Sequence, residues 1–382
     1  MFERTKELLD LFLAEKVPGY DTAVFKDGKC VFRQSGGYVD MEKKTTHTGK
    51  ELYNMYSCSK TVTCVAAMML YERGAFKLDD KLSKYIPEYE NMMVKTEDGL
   101  RPATTDILIE DVFGMTAGFH YTVSCPSIKA AVEKTEGRCP TLEIARCFAS
   151  EPLEFDPGTS WKYSFGHDIL AALVEVWSGV RFADFVRDNI FAPLGMTSST
   201  FHITEEDRKS LCTQYKYDYS TKLVNLVDRS NVYDLGPEYD SGGAGMVSTV
   251  DDFIKFGEAL RKGEIIKSET IKLMTKDRLS EARGRGAFYY TDYGYGLGVR
   301  CPRLDGDACG EGIYDFGWGG AAGALFGVDI EHGITVFHAQ HILNFPNFAS
   351  RAKLMRAVTA DILGTESKEI AQGEANASVI TY

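Results

Sequence analysis

The chain is organised around one helix. From Ser59 the residues run Lys-Thr-Val-Thr-Cys-Val-Ala-Ala-Met-Met-Leu-Tyr-Glu-Arg and stop at Gly74, which predicts a buried or half-buried helix with the glycine at its C-cap. The residues that open it, Tyr56-Ser57-Cys58-Ser59-Lys60, set a hydroxyl and an amine three positions apart, on one helical face. A serine hydroxyl is a poor nucleophile until its proton is removed, and a desolvated lysine whose pKa falls towards neutrality can remove it. The first turn of a helix also carries N–H groups without intrahelical acceptors, ready for an oxyanion. Taken alone, S-x-x-K is a common chance pattern and reads first as an N-cap followed by a surface lysine. The rest of the chain decides between the two.

With 382 residues the chain can bury a large core, expected as two intimately packed subdomains. A hydrophobic content of 44% and a charged content of 26% are those of an ordinary globular protein. The net charge of −12 argues against nucleic acid or an anionic membrane as a partner, because both demand positive potential. The first sixteen residues read as an amphipathic helix with charges throughout, without the features of a secretory signal. No apolar run is long enough for a transmembrane helix. Nine cysteines without paired spacings fit a reducing compartment better than a disulfide framework, so the expected location is the cytoplasm.

After the first helix, 21–26 and 29–34 read as strands of a hairpin turned by Asp27-Gly28. Helical patterns recur at 109–113, 141–149, 168–178, 182–190 and 250–261, and the stretch 57–284 reads as mostly helix and loop. Residues 323–330 and 333–339 are β-branched and aromatic runs around a turn, and a final helix is expected over 347–363. Two terminal strands do not make a stable sheet, so the N-terminal hairpin is expected to join them. The expectation is α+β: an antiparallel sheet flanked by helices, with residues 1–56 and 285–365 forming one subdomain and 57–284 an inserted, mostly helical one. Residues 366–382 read as a polar tail.

Two further stretches carry chemistry. Pro157-Gly158-Thr159-Ser160-Trp161-Lys162-Tyr163-Ser164-Phe165 is a turn and loop leading into a helix, a place where the Tyr163 hydroxyl can face a cleft. Near a cation its phenol pKa is expected to fall, so that it can accept and return a proton. Phe316-Gly317-Trp318-Gly319-Gly320-Ala321-Ala322-Gly323 precedes an apolar strand. Small residues there let a substrate lie against a strand edge, and a backbone N–H such as that of Ala321 can complete an oxyanion hole. Both stretches have bland readings, a buried tyrosine and a glycine-rich turn. No phosphate loop is complete, no G-x-S-x-G occurs, and His338 and His341 lack further ligands. No metal or other cofactor is therefore expected. His120, in a loop expected after Gly118-Phe119, is a candidate pocket residue.

In their order, S-x-x-K, then Tyr163 after Pro-Gly, then the glycine-rich strand entry, these motifs resemble the serine β-lactamase and penicillin-binding-protein family, class C-like branch. Met115-Thr116-Ala117-Gly118-Phe119, Ala192-Pro193-Leu194-Gly195-Met196-Thr197, Gly242-Gly243-Ala244-Gly245-Met246-Val247-Ser248-Thr249 and Tyr295-Gly296-Leu297-Gly298 support it over about 20–365. The resemblance implies a β-lactamase/transpeptidase-like fold with the site at the junction of the subdomains. It also implies Ser57 as the acylated nucleophile, Lys60 and Tyr163 sharing the proton work, and the Ser57 and Ala321 N–H groups as oxyanion hole.

Two positions depart from the family pattern. Phe165 stands where an asparagine usually orients an amide substrate, and Trp318 where a lysine or histidine is usual. A Trp-Gly-Gly third motif resembles that of family VIII carboxylesterases. The expectation is a serine hydrolase cleaving small or acyl esters, with Phe165, Trp318, Gly319, Gly320 and His120 at the substrate. A β-lactamase or D-amino-acid peptidase or amidase is the rival enzyme, and a non-catalytic binding homologue the rival outside enzymes.

Overall fold

Period-two patterning at the two ends of the chain meets in one sheet. The computed structural model describes residues 1–228, 231–290, 292–303 and 313–365; the polar tail read at 366–382 lies outside them. Strands Gly19–Lys26 and Lys29–Gly37 pair through the Asp27-Gly28 turn, and strands Leu325–Asp329 and Ile334–Gln340 form a second hairpin. The 19–26 and 334–340 strands pair antiparallel, Thr22 opposite His338 and Ala23 opposite Phe337, giving the spatial order 325–329, 334–340, 19–26, 29–37.

Alternation along these strands makes two cores. Tyr20, Val24, Ile334 and Val336 face the Glu3–Ala14 and Leu354–Leu363 helices, packing on Leu9, Phe12, Leu354 and Val358. Ala23, Phe337 and Ala339 point to the opposite face. There the Val250–Lys262 helix lays Phe253 flat on Phe337, ring centroids 4.4 Å apart, and edge-on to Phe326 at 5.1 Å. Gly257 lets this helix close on the sheet: a Cβ there would stand 2.5 Å from Thr335 Cγ2 and 2.8 Å from the Phe326 ring. Gly257→Ala is therefore expected to destabilise on balance by on the order of 1 kcal/mol. An overpacking cost of about 1–3 kcal/mol outweighs a propensity gain of about 1 kcal/mol. A lower urea midpoint would show it, and an unchanged or higher one would contradict it.

The rest of the main core is helical. The Ser59–Glu72 helix is buried from Ser59 to Met68 and ends at Gly74, whose φ of 76° is the left-handed C-cap the sequence suggests. It packs against the Gly166–Ser178 helix, and Phe76 and Trp177 stack 3.9 Å apart near its end. The pattern over 182–190 resolves into an α-helix, Phe182–Val186, running into a π-helical turn, Arg187–Phe191. The single helix expected over 347–363 is two, Phe348–Ala352 and Leu354–Leu363. Helices at Pro126–Lys134 and Ser268–Met274 carry too few turns for periodicity to reveal. Among the described residues no helix is long and apolar enough to cross a membrane.

Candidate active site

Ser57 lies on a 3-10 turn, Tyr56–Cys58, that runs directly into the Ser59–Glu72 helix. The preceding residue, Tyr56, has φ of 44°, a left-handed conformation that costs a bulky residue on the order of 1–3 kcal/mol and holds only where its surroundings impose it. Tyr56 is 2% exposed and packs with Ala244, Ala321 and Ala322, so the glycine-rich stretch helps to hold the turn that aims Ser57. Gly320 passes so close that a Cβ would stand 2.5 Å from the Met55 carbonyl oxygen. Gly319 bridges to Leu325 and lies against the Arg351 guanidinium. The Ala321 N–H donates to no backbone carbonyl among the described residues, and Ser57 is at a helix start, where N–H groups lack intrahelical acceptors.

The Ser57 hydroxyl, 3% exposed, is hydrogen-bonded to the Tyr163 hydroxyl and lies 3.3 Å from Lys60 Nζ. Lys60 Nζ also donates to the Gly243 carbonyl at 2.7 Å and to the Tyr121 hydroxyl at 3.2 Å. It stands 4.6 Å from the centroid of the Tyr163 ring. Burial lowers the Lys60 ammonium from 10.5 to about 7, opposed by the field of Asp168. At neutral pH a large share of this amine is therefore unprotonated and has a lone pair for the serine proton.

Tyr163 behaves differently from its sequence expectation. Burial pushes its phenol well up, with its interactions with the Ser57 hydroxyl and the Trp318 side chain only partly opposing the rise. Tyr163 is thus a proton donor at rest, and Lys60 the group able to accept. Trp318, 2% exposed, lies parallel to Tyr163 with centroids 6.1 Å apart, under Tyr290 and Tyr295.

The remaining candidates sit further out. Phe165 precedes the Gly166–Ser178 helix, is 1% exposed, and packs on Phe148 at 4.8 Å and Tyr121 at 6.3 Å. The His120 ring packs edge-on to Phe148, and its Nε2 lies 3.6 Å from Glu151. The loop turns its neighbour, Tyr121, to Lys60. Tyr121 also packs edge-on to Tyr163 at 5.2 Å and stacks on Tyr233 at 5.0 Å. Sequence reading singled out His120 and missed Tyr121, since a loop without periodicity gives no sign of which neighbour faces inward.

Donor atoms of His120, Cys125 and Glu151 lie within 4.8 Å of one another. Thr122 N–H donates to His120 Nδ1 at 3.1 Å, which places the neutral ring's proton on Nε2, towards Glu151. A metal would need that nitrogen bare, so the cluster is built as a polar pairing rather than a cation site.

The chain is 28% identical over 332 residues to protein Rv1367c of Mycobacterium tuberculosis, covering 81% of this chain and 82% of that protein. It is 28% identical over 364 residues to esterase EstB of Burkholderia gladioli, covering 87% and 88%. The solved structure of EstCE1, described as a hydrolase with promiscuous acyltransferase activity, superposes with a TM-score of 0.74 at 23% identity, covering 94% of this chain and 97% of that one. The beta-lactamase family profile matches residues 5–360. The chain belongs to the beta-lactamase family, whose members are serine hydrolases with this mixed α+β fold.

Proposed function

We propose that this protein is a cytoplasmic esterase that cleaves small or acyl esters through an acyl-enzyme on Ser57. One observation carries the reading: the Ser57 hydroxyl sits between a phenol that burial keeps protonated and an amine that burial brings to about 7. Lys60 takes the serine proton as Oγ adds to the ester carbonyl. The oxyanion is received by the N–H groups of Ser57 and Ala321. As the tetrahedral adduct collapses, the alkoxide takes the Tyr163 proton, and the proton on Lys60 restores the phenol. Water then repeats the sequence on the acyl-enzyme, with proton movements reversed.

We place the site at the junction of residues 1–56 and 285–365 with 57–284. Trp318, Gly319 and Gly320 form the edge along which substrate lies, while Phe165 and His120 act through the Tyr121 loop. The similarity to the esterase EstB, and to EstCE1 as a hydrolase with acyltransferase activity, supports an ester. All eight described cysteines are unpaired, which supports a reducing compartment.

A fluorophosphonate ester is expected to add one phosphonyl group to Ser57, located by peptide mass mapping. Label on another serine, or none on folded protein, would sink the assignment. The ester is distinguished from its rival by relative efficiency. Trp318 brings no charge for a substrate carboxylate, and Arg351 is 3% exposed with Nη1 committed to the Ala324 carbonyl. A β-lactam would therefore lose polar partners worth about 1–3 kcal/mol each. We expect kcat/KM for a short aryl ester to exceed that for a nitrocefin-like β-lactam by about two orders of magnitude. Equal efficiency, or preference for the lactam, would restore the amide reading.

A further inference from the structure

A carboxylate lies beneath Lys60 that the proposed chemistry does not use. Asp168, in the first turn of the Gly166–Ser178 helix, is 1% exposed. Its Oδ1 accepts from the Tyr239 hydroxyl at 2.8 Å, the Ser241 hydroxyl at 2.7 Å and the Gly243 N–H at 3.3 Å. Its Oδ2 is buried without a hydrogen-bond partner among the described residues. Gly243 joins the two charged groups: its N–H goes to Asp168, and its carbonyl takes Lys60 Nζ. The fit needs a glycine, because a Cβ there would overlap Asp168 Oδ2 and come within 3.1 Å of the Tyr121 hydroxyl.

Burial raises the Asp168 carboxyl above its ordinary value, and the field of Lys60 with the hydrogen bonds from Ser241, Tyr239 and Gly243 opposes that rise and holds the charge. Three donors converge on one oxygen, and a proton on Oδ2 would find no acceptor. Buried carboxylates are normally paired, yet Asp168 makes no ion pair within 4 Å among the described residues. Its charge is balanced instead across Gly243, by an amine that has no contacting counter-ion of its own among the described residues. The other groups around Lys60 are uncharged at neutral pH. Tyr121 and Tyr163 are phenols, Cys58 and Cys64 are thiols pushed up by burial, and His167 is fully buried and held neutral.

Resting on the reading of Lys60 as the base, we infer that Asp168 is a positioning residue that clamps Gly243 under Lys60 and, through its charge, sets the pH at which Lys60 gives up its proton. Asp168→Asn keeps the shape and an oxygen for the three donors, and removes the charge. The ammonium then loses its balancing field, so Lys60 deprotonates at lower pH. A loop clamp alone predicts no such shift.

The test is the pH profile of kcat/KM on an aryl ester, for wild type, Asp168→Asn, Tyr239→Phe/Ser241→Ala and Lys60→Ala. In Asp168→Asn the acid limb is expected to move down by about one pH unit, with a lower plateau because a weaker base remains. Tyr239→Phe/Ser241→Ala retains the carboxyl but strips two donors, easing its protonation, and should move the limb the same way by less. This variant decides the question if Asp168→Asn does not fold. An acid limb that stays in place while activity or melting temperature falls would overturn the inference. If Lys60→Ala keeps the wild-type limb, the base assignment fails instead, and the two failures are told apart.

Discussion

Replacing Lys60 with alanine is expected to lower kcat/KM on an aryl ester by on the order of a thousandfold, chiefly through kcat, because proton removal from Ser57 is needed mainly in the transition state. Among the described residues no other group contacting Ser57 can do this work, since burial holds Tyr163 protonated. In the wild type the same amine predicts a kcat/KM that rises with pH and reaches half its plateau near 7. Unchanged turnover in Lys60→Ala, or a flat wild-type profile between pH 5 and 9, would remove Lys60 from the mechanism.

The depressed pKa is also a stability statement. Between about 7 and 10.5 the unfolded lysine binds more protons than the folded one, so stability rises with pH across that window and levels off beyond it. At pH 7 the folded state gives up on the order of 4 kcal/mol to keep this amine buried and half-neutral. Lys60→Met, apolar and of similar length, is therefore expected to melt higher than wild type at neutral pH, with the gap closing towards pH 10. A variant both inactive and more stable is the signature of a residue kept for chemistry. A lower melting temperature at pH 7 would show that the Gly243 and Tyr121 contacts, with the balance Lys60 gives the buried Asp168 charge, outweigh desolvation.

What sequence could reveal follows from what is local. Ser57 and Lys60 were legible because three residues of helix put them together whatever the rest of the chain does. The sheet was legible because Asp27-Gly28 and the β-branched and aromatic runs at 323–330 and 333–339 mark two hairpins, each too small to stand alone. Asp168 and Gly243 were not legible as a pair: they are 75 positions apart and meet only when the Tyr239–Gly243 turn folds onto the helix start. The protonation of Tyr163 was misjudged for a related reason. Proximity to a lysine can be inferred from motif order, but the depth of burial cannot, and burial decided the sign. Phe165, expected at the substrate, instead packs between Phe148 and Tyr121, because the chain turns into the helix at that residue and carries its ring inward.

Tyr163→Phe is expected to separate leaving groups. The substitution removes one oxygen from the partner of Ser57 Oγ and leaves the ring against Trp318 and Tyr121, so the fold is preserved. What is lost is a donor. An aryl ester releases a stabilised phenolate that hardly needs a proton, whereas an alkyl ester releases a strongly basic alkoxide that does. The loss in kcat is therefore expected to be about tenfold for a p-nitrophenyl ester and roughly a hundredfold or more for the matching alkyl ester, within the range of general acid catalysis. KM should change little for either, since the hydroxyl acts as charge develops. Equal losses on both esters would place Tyr163 before leaving-group departure, as the acceptor of the serine proton, and would make its strong burial a cost that the mechanism works against.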